Sequence, residues 1–106
     1  MKKLILTICL TLLSLAANAN YINGNKLLDD LTGSNTDRAF ALGFVAGVVD
    51  SYDGELFCTP RAANLGQLRD VVTQFLVRNP KERHRNAAAI VAIALVIDYP
   101  CKKDGV

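Results

Sequence analysis

Residues 64–79 read NLGQLRDVVTQFLVRN and carry the clearest period in the chain. Leu65, Leu68, Val71, Val72, Phe75 and Leu76 fall at i, i+3, i+6, i+7, i+10 and i+11, one face of a 3.6-residue helix. Gln67, Arg69, Asp70, Thr73 and Gln74 fall on the opposite side. Asn64 stands three residues before Gln67, the spacing at which a cap side chain and an amide satisfy each other's backbone donors. Asn79-Pro80 ends the helix, because proline brings no N–H to continue it. This one helix needs partners for its apolar face, and the flanking sequence supplies them.

Downstream, Asn79 and Glu82 repeat the capping-box spacing and predict a further turn. A fourth helix is expected over residues 86–98, ending before Pro100. Residues 87–97 hold no polar side chain, a pattern that calls for burial on every side. The β-branched residues there would also suit a strand, but the caps and the alanine run favour helix. Three helices of a small domain cannot easily surround a fourth. A two-fold dimer covering the remaining face is therefore expected, with Ile90, Val91, Ala94 and Ile97 as candidate interface residues. The alternative is a central core helix in a monomer.

Upstream, residues 25–31 form a short helix with Leu27, Leu28 and Leu31 on one face. Gly33-Ser34-Asn35 breaks it, and Ser34 with Asp37 reads as a cap with an acid in the first turn. A second helix follows over residues 36–51, with Phe40, Phe44, Val45, Val48 and Val49 apolar. Gly43 and Gly47 share one face, and each glycine costs a soluble helix up to about 1 kcal/mol against alanine. The expected return is close approach by a neighbouring backbone. A membrane dimer is excluded by length and by Arg38 and Asp50. The fold class is thus all-α: a small domain of four to five helices.

The chain has 106 residues, of which the first 19, MKKLILTICLTLLSLAANA, form a separate population. Lys2 and Lys3 precede an apolar run over residues 4–15, and Ala17-Asn18-Ala19 supplies a small-residue cleavage site. The run is shorter than the roughly 20 residues that span a membrane. Cys9 has no small-residue cleavage site just before it, which argues against lipid attachment. A cleaved signal peptide over 1–19 and one exported domain over 20–106, without a membrane anchor, are expected. That domain carries ten basic and ten acidic residues, so no basic stripe gathers phosphates and a nucleic-acid partner is not expected. It is also too small for a two-lobed cofactor enzyme.

Outside the leader only Cys58 and Cys101 remain, an even pair that reads as one disulfide in an oxidising compartment. Those two cysteines and the single His84 are too few for a metal site. Closing a loop of 43 residues is worth roughly 4 kcal/mol in the chain-entropy model. Catalytic chemistry is scarce. His84 lies between Arg83 and Arg85, a poor setting for a base, and neither Ser34 nor Ser51 sits in a nucleophile motif. Asp50, Asp53 and Glu55 do not match the twelve-residue calcium loop and read as a solvated acidic turn. No catalytic residue, metal or cofactor is expected. A binding protein is the simplest reading.

The ordered strings FCTP, NLGQLRDVVTQFL, NPKERH, AAAIVAIAL and YPC run from Phe57 to Cys101, with GNKLL and GFVAGVVD upstream. Taken together they resemble the Tai or Rap family of type VI secretion amidase immunity proteins. The resemblance implies a small periplasmic all-helical dimer that occludes the active-site groove of a secreted Cys-His peptidoglycan amidase. It also implies where contact occurs: the exposed face of the third helix, here Gln67, Asp70, Thr73 and Gln74, and a protruding loop, here Lys81, Glu82 and Arg83. Tyr52, Asp53 and Glu55 are the second choice for the loop.

Two departures from the family pattern stand out. Leu31 and Ala41 occupy the places of a second cysteine pair and are expected to pack together. Arg61-Ala62-Ala63-Asn64 stands where a glycine-containing turn is expected. An acid-stress chaperone, also small, helical, dimeric and stapled, is the alternative from another class, with clustered carboxylates as its trigger.

Overall fold

Among the described residues each α-helix starts on a side-chain oxygen that accepts a backbone N–H. A computed structural model describes residues 21–102, so the expected leader and its cleavage point lie outside the described residues. Asn23 caps α1 (Gly24–Leu31) through Lys26 N–H, and Ser34 caps α2 (Asn35–Tyr52) through Asp37 N–H. Asn64 caps α3 (Leu65–Arg78) with the reciprocal Gln67 bond present, and Asn86 caps α4 (Ala87–Asp98) through Ala89 N–H. Such caps contribute about 1 kcal/mol apiece. The expected boundaries move by a single residue at most ends. Among the described residues the architecture is all-helical, with two isolated backbone bridges and no strand.

The second capping box does not form. Asn79 faces backwards, its Nδ2 donating 2.8 Å to the Phe75 carbonyl, and the short 3-10 turn Pro80–Glu82 has no side-chain cap. The side-chain amide thus adds a second bond to the Phe75 carbonyl, which already accepts the Asn79 backbone N–H at 3.0 Å, and is turned away from the Pro80–Glu82 turn.

α1 packs chiefly on α2 and α3 on α4, while α2 also lies against α3 and α4. Leu27 and Leu31, Ala41, Val45 and Val48, Leu68, Val72 and Leu76, and Ala87, Ile90, Val91, Ala94 and Leu95 fill one core. Phe57, between α2 and α3, is its largest fully buried side chain. Leu31 and Ala41 both belong to this core. The Arg61-Ala62-Ala63 stretch closes as a turn, with Ala63 N–H on the Pro60 carbonyl, and needs no left-handed residue. Gly54 is the sole residue described at positive φ, where it lets the 53–57 connection double back so that its N–H reaches the Phe57 carbonyl at 2.7 Å.

Two expectations are corrected. α4 does keep an uncovered face within the protomer, the ridge of Ala89, Ile93, Val96 and Ile97, with Ile97 62% accessible, but its residues are not those expected at the interface. Ile90, Val91 and Ala94 are inside the protomer's own core, so a second copy could touch only Ile97 of the four proposed interface residues. The reason is geometric, since α1, α2 and α3 approach α4 from one side. Likewise Gly43 and Gly47 do not receive a neighbour. A Cβ at either would meet open space, and Phe40 on the same outer face is 56% exposed.

The tight approach occurs elsewhere, at Gly24. A Cβ there would lie 2.8 Å from the Arg83 carbonyl oxygen and 2.5 Å from Ile90 Cδ1. The missing side chain lets Gly24 N–H and Asn25 N–H, unpaired donors of the first turn of α1, reach the carbonyls of Arg85 (3.0 Å) and Arg83 (2.9 Å). Ala87 N–H returns a bond to the Ile22 carbonyl at 3.1 Å. One charged side chain is buried in this half of the domain: Asp30, which takes the Lys26 ammonium at 2.9 Å and thereby raises the Lys26 pKa.

Cys58 and Cys101 are bonded, with Cα atoms 4.9 Å apart, and Cys58 N–H donates 2.8 Å to the Tyr99 carbonyl beside the bridge. The cross-link ties the end of α4 to the segment that carries Phe57. Reduction should lower unfolding stability by roughly 4 kcal/mol, read as the shift in urea midpoint between oxidised and reduced protein. Gly24→Ala should cost about 2 kcal/mol by forcing backbone apart. Gly43→Ala and Gly47→Ala, with nothing to collide with, should instead raise stability by up to about 1 kcal/mol each. Thermal unfolding of the three variants checks both signs.

Candidate functional site

The exposed face of α3 is less available than its sequence suggests. Gln67 Oε1 accepts the Asn64 N–H at 2.8 Å and so belongs to the capping box. Thr73 is half-buried, and its hydroxyl donates 2.8 Å to the Arg69 carbonyl. Asp70 is exposed and pairs with Arg69 at 3.1 Å, a solvated contact worth little on its own. Gln74 is exposed at the edge of a groove between α3 and α4.

That groove is the main concave feature joining the expected site residues. Its upper part, about 250 Å³, is lined by Val71, Gln74, Phe75, Arg78 and Ile97 among others. Its lower part, about 430 Å³, is lined by apolar Phe75, Ile90, Ile93 and Ile97 and by polar Asn79, Glu82 and Arg85. Phe75, Asn79 and Ile97 are common to both parts. The structure therefore brings together one helix-face residue (Gln74), one loop residue (Glu82) and three residues expected at a dimer contact (Ile90, Ala94 and Ile97), of which only Ile97 is exposed. A lining of apolar and polar side chains together suits a protein partner's side chain better than a reaction.

The loop residues differ from one another. Lys81 is exposed on the 3-10 turn. Glu82 is half-buried and forms an ion pair with Arg85. Arg83 turns inward, Nε donating 2.6 Å to the Leu76 carbonyl and Nη2 3.2 Å to the Val77 carbonyl. His84 Nδ1 lies 2.9 Å from the Lys81 carbonyl, a turn-closing contact. Of the three loop candidates, Arg83 is thus occupied with its own fold.

The acidic turn stands apart. Tyr52 lines a different cavity, of about 420 Å³, with Gly43, Phe44, Gly47 and Ala88. Glu55 is exposed. Asp53 holds the turn shut: its carboxylate accepts the Thr59 hydroxyl at 2.6 Å and the Thr59 N–H at 2.9 Å. The Thr59 hydroxyl, then its N–H, keep the Asp53 carboxyl below its ordinary range.

Sequence reasoning missed Phe75, Asn79, Arg85 and Ile93 as groove residues. Phe75 carried a signal of core, and Ile93 one of full burial. Among the described residues no cluster of three or more His, Cys, Asp or Glu side chains could hold a metal ion, and no helix is long and apolar enough to cross a membrane. A family model described as Rap1a immunity proteins matches residues 23–101, a span that contains all four helices and both bridge cysteines. No curated protein matches the chain in sequence.

The Asp53 clamp makes a signed prediction. A carboxyl with a depressed folded-state pKa adds stability that is present above its unfolded value of about 3.9 and lost as pH falls through the folded value. Thr59→Val should bring the Asp53 pKa back up and shrink the acid-range loss of stability. Carboxyl NMR titration of both proteins reads the shift, and an unmoved Asp53 curve would contradict the clamp.

Proposed function

The chain belongs to the Rap1a immunity protein family, and from that premise we propose that it acts in the periplasm by seating on a secreted peptidoglycan amidase and closing its active-site groove. Members of this family are inhibitors of a secreted effector and not enzymes. The observation that carries the reading is the extent of the match, which takes in all four described α-helices rather than one motif. Occlusion needs surface and rigidity, not reactive groups. The protein offers Asp70 and Gln74 on α3, Lys81 and Glu82 on the adjoining turn, and the apolar lining of the groove beside them. Tyr52 and Glu55 remain the second contact region.

A two-fold dimer forms part of the same reading. Its support is the α4 ridge of Ala89, Ile93, Val96 and Ile97, a row of apolar side chains left exposed by a small domain. The chaperone alternative lacks a trigger at Asp53, whose carboxyl stays ionised in mild acid because Thr59 holds it.

At neutral pH the purified protein should form a stoichiometric complex with a peptidoglycan amidase encoded beside it, and murein cleavage by that amidase should stop. Gln74→Lys and Lys81→Glu should each weaken the complex about tenfold, roughly 1.4 kcal/mol, with unchanged thermal unfolding. Co-purification followed by a cleavage assay reads both. Failure to bind any neighbouring amidase would overturn the reading.

A further inference from the structure

The connection from α3 to α4 is short, charged and exposed, the composition of a mobile loop. The structure instead anchors it at both ends, and Arg83 is where the anchors meet. The Leu76 carbonyl would, in a continuing helix, accept the N–H of residue 80. That residue is Pro80, which has none, so the carbonyl is orphaned by the sequence itself. Arg83 Nε fills the vacancy at 2.6 Å, while Nη2 reaches the neighbouring Val77 carbonyl. A guanidinium at a helix C-terminus also suits the negative end of the dipole. The backbone of the same residue works in the opposite sense, its carbonyl accepting Asn25 N–H at the positive end of α1.

We infer that Arg83 is a positioning residue for partner recognition: it fixes the Pro80–Glu82 turn before any partner arrives, so that Lys81 and Glu82 are presented without an ordering cost. This rests on the proposed amidase contact through that turn. A pre-formed protrusion loses less conformational entropy on docking than a loop that must be ordered. Arg83 therefore acts through its neighbours, although its sequence position groups it with them as a contact.

The test uses the intact protein, Arg83→Gln and Arg83→Lys, with the neighbouring amidase as probe. Amide hydrogen exchange on the free proteins reads the positioning directly at Glu82 and Arg85, whose N–H groups are bonded within the turn. Arg83→Gln should exchange there at least tenfold faster and bind the amidase about tenfold more weakly. Arg83→Lys, which keeps the charge and one donor set, should recover most of both. Should Arg83→Gln not fold, the lysine variant carries the comparison, with an intermediate exchange rate and affinity expected.

Unchanged exchange in Arg83→Gln would overturn the positioning role whatever the affinity. Faster exchange with wild-type affinity would overturn the link to recognition while leaving the amidase reading standing. Absence of binding by the wild-type protein would overturn both, and the wild-type arm alone identifies that case.

Discussion

The closest constraint in the molecule is the contact between the first turn of α1 and the backbone of residues 83–87. It leaves no room for a β-carbon at residue 24, and it satisfies donors of one helix with carbonyls of a loop that follows another. Because both partners are backbone, their spacing is set by hydrogen-bond length and cannot be relaxed by choosing a different side chain. Everything nearby takes its position from this joint. α1 is held against the start of α4, the bridge between Asn23 and Asn86 follows, and the segment bearing Lys81 and Glu82 is fixed at its downstream end.

The far end of the domain is governed by a covalent constraint. Cys58 and Cys101 hold the segment after α2 to the segment after α4, and Phe57 is sealed into the core beside them. Between the joint and the bridge lies a core built almost wholly of aliphatic side chains. A chain of this size buries a smaller share of its surface than a larger domain does. Part of the deficit falls on α4, where Ile93 and Ile97 are only partly covered within the protomer.

Much of the fold was legible because its signals are local. Ser34 and Asn64 each precede a helix at the spacing a side-chain cap requires, and the structure uses both, while Asn86, read as the first residue of its helix, is its cap. The disulfide was legible by elimination, with two cysteines outside the leader. What failed was direction. Two glycines four apart say that a side chain is missing from one helix face, not whether a neighbour or solvent lies there, and Gly43 and Gly47 face solvent. The even apolarity of residues 87–97 erased the phase that would have separated Ile90 from Ile93. Asn79 can turn its side chain backwards or forwards, and the spacing to Glu82 does not say which; it turns back to the Phe75 carbonyl. Arg83 looked like a surface contact because its partners, Leu76 and Val77, offer backbone atoms that no side-chain pattern announces.

The groove between α3 and α4 has a consequence for how inhibition scales with amount. Gln74, on the partner-facing side of the proposal, and Ile97, on the self-association side, border the same space. Two occupants that meet there are thermodynamically linked: whatever factor one applies to the other's affinity is returned in full. A second copy that helps seat the partner makes protection steepen with concentration. One that competes for the space makes the dimer a store of inactive inhibitor, released by dilution or drawn down as toxin arrives. On the proposed reading, geometry at a single isoleucine thus connects the dose of this protein to the threshold at which it would protect.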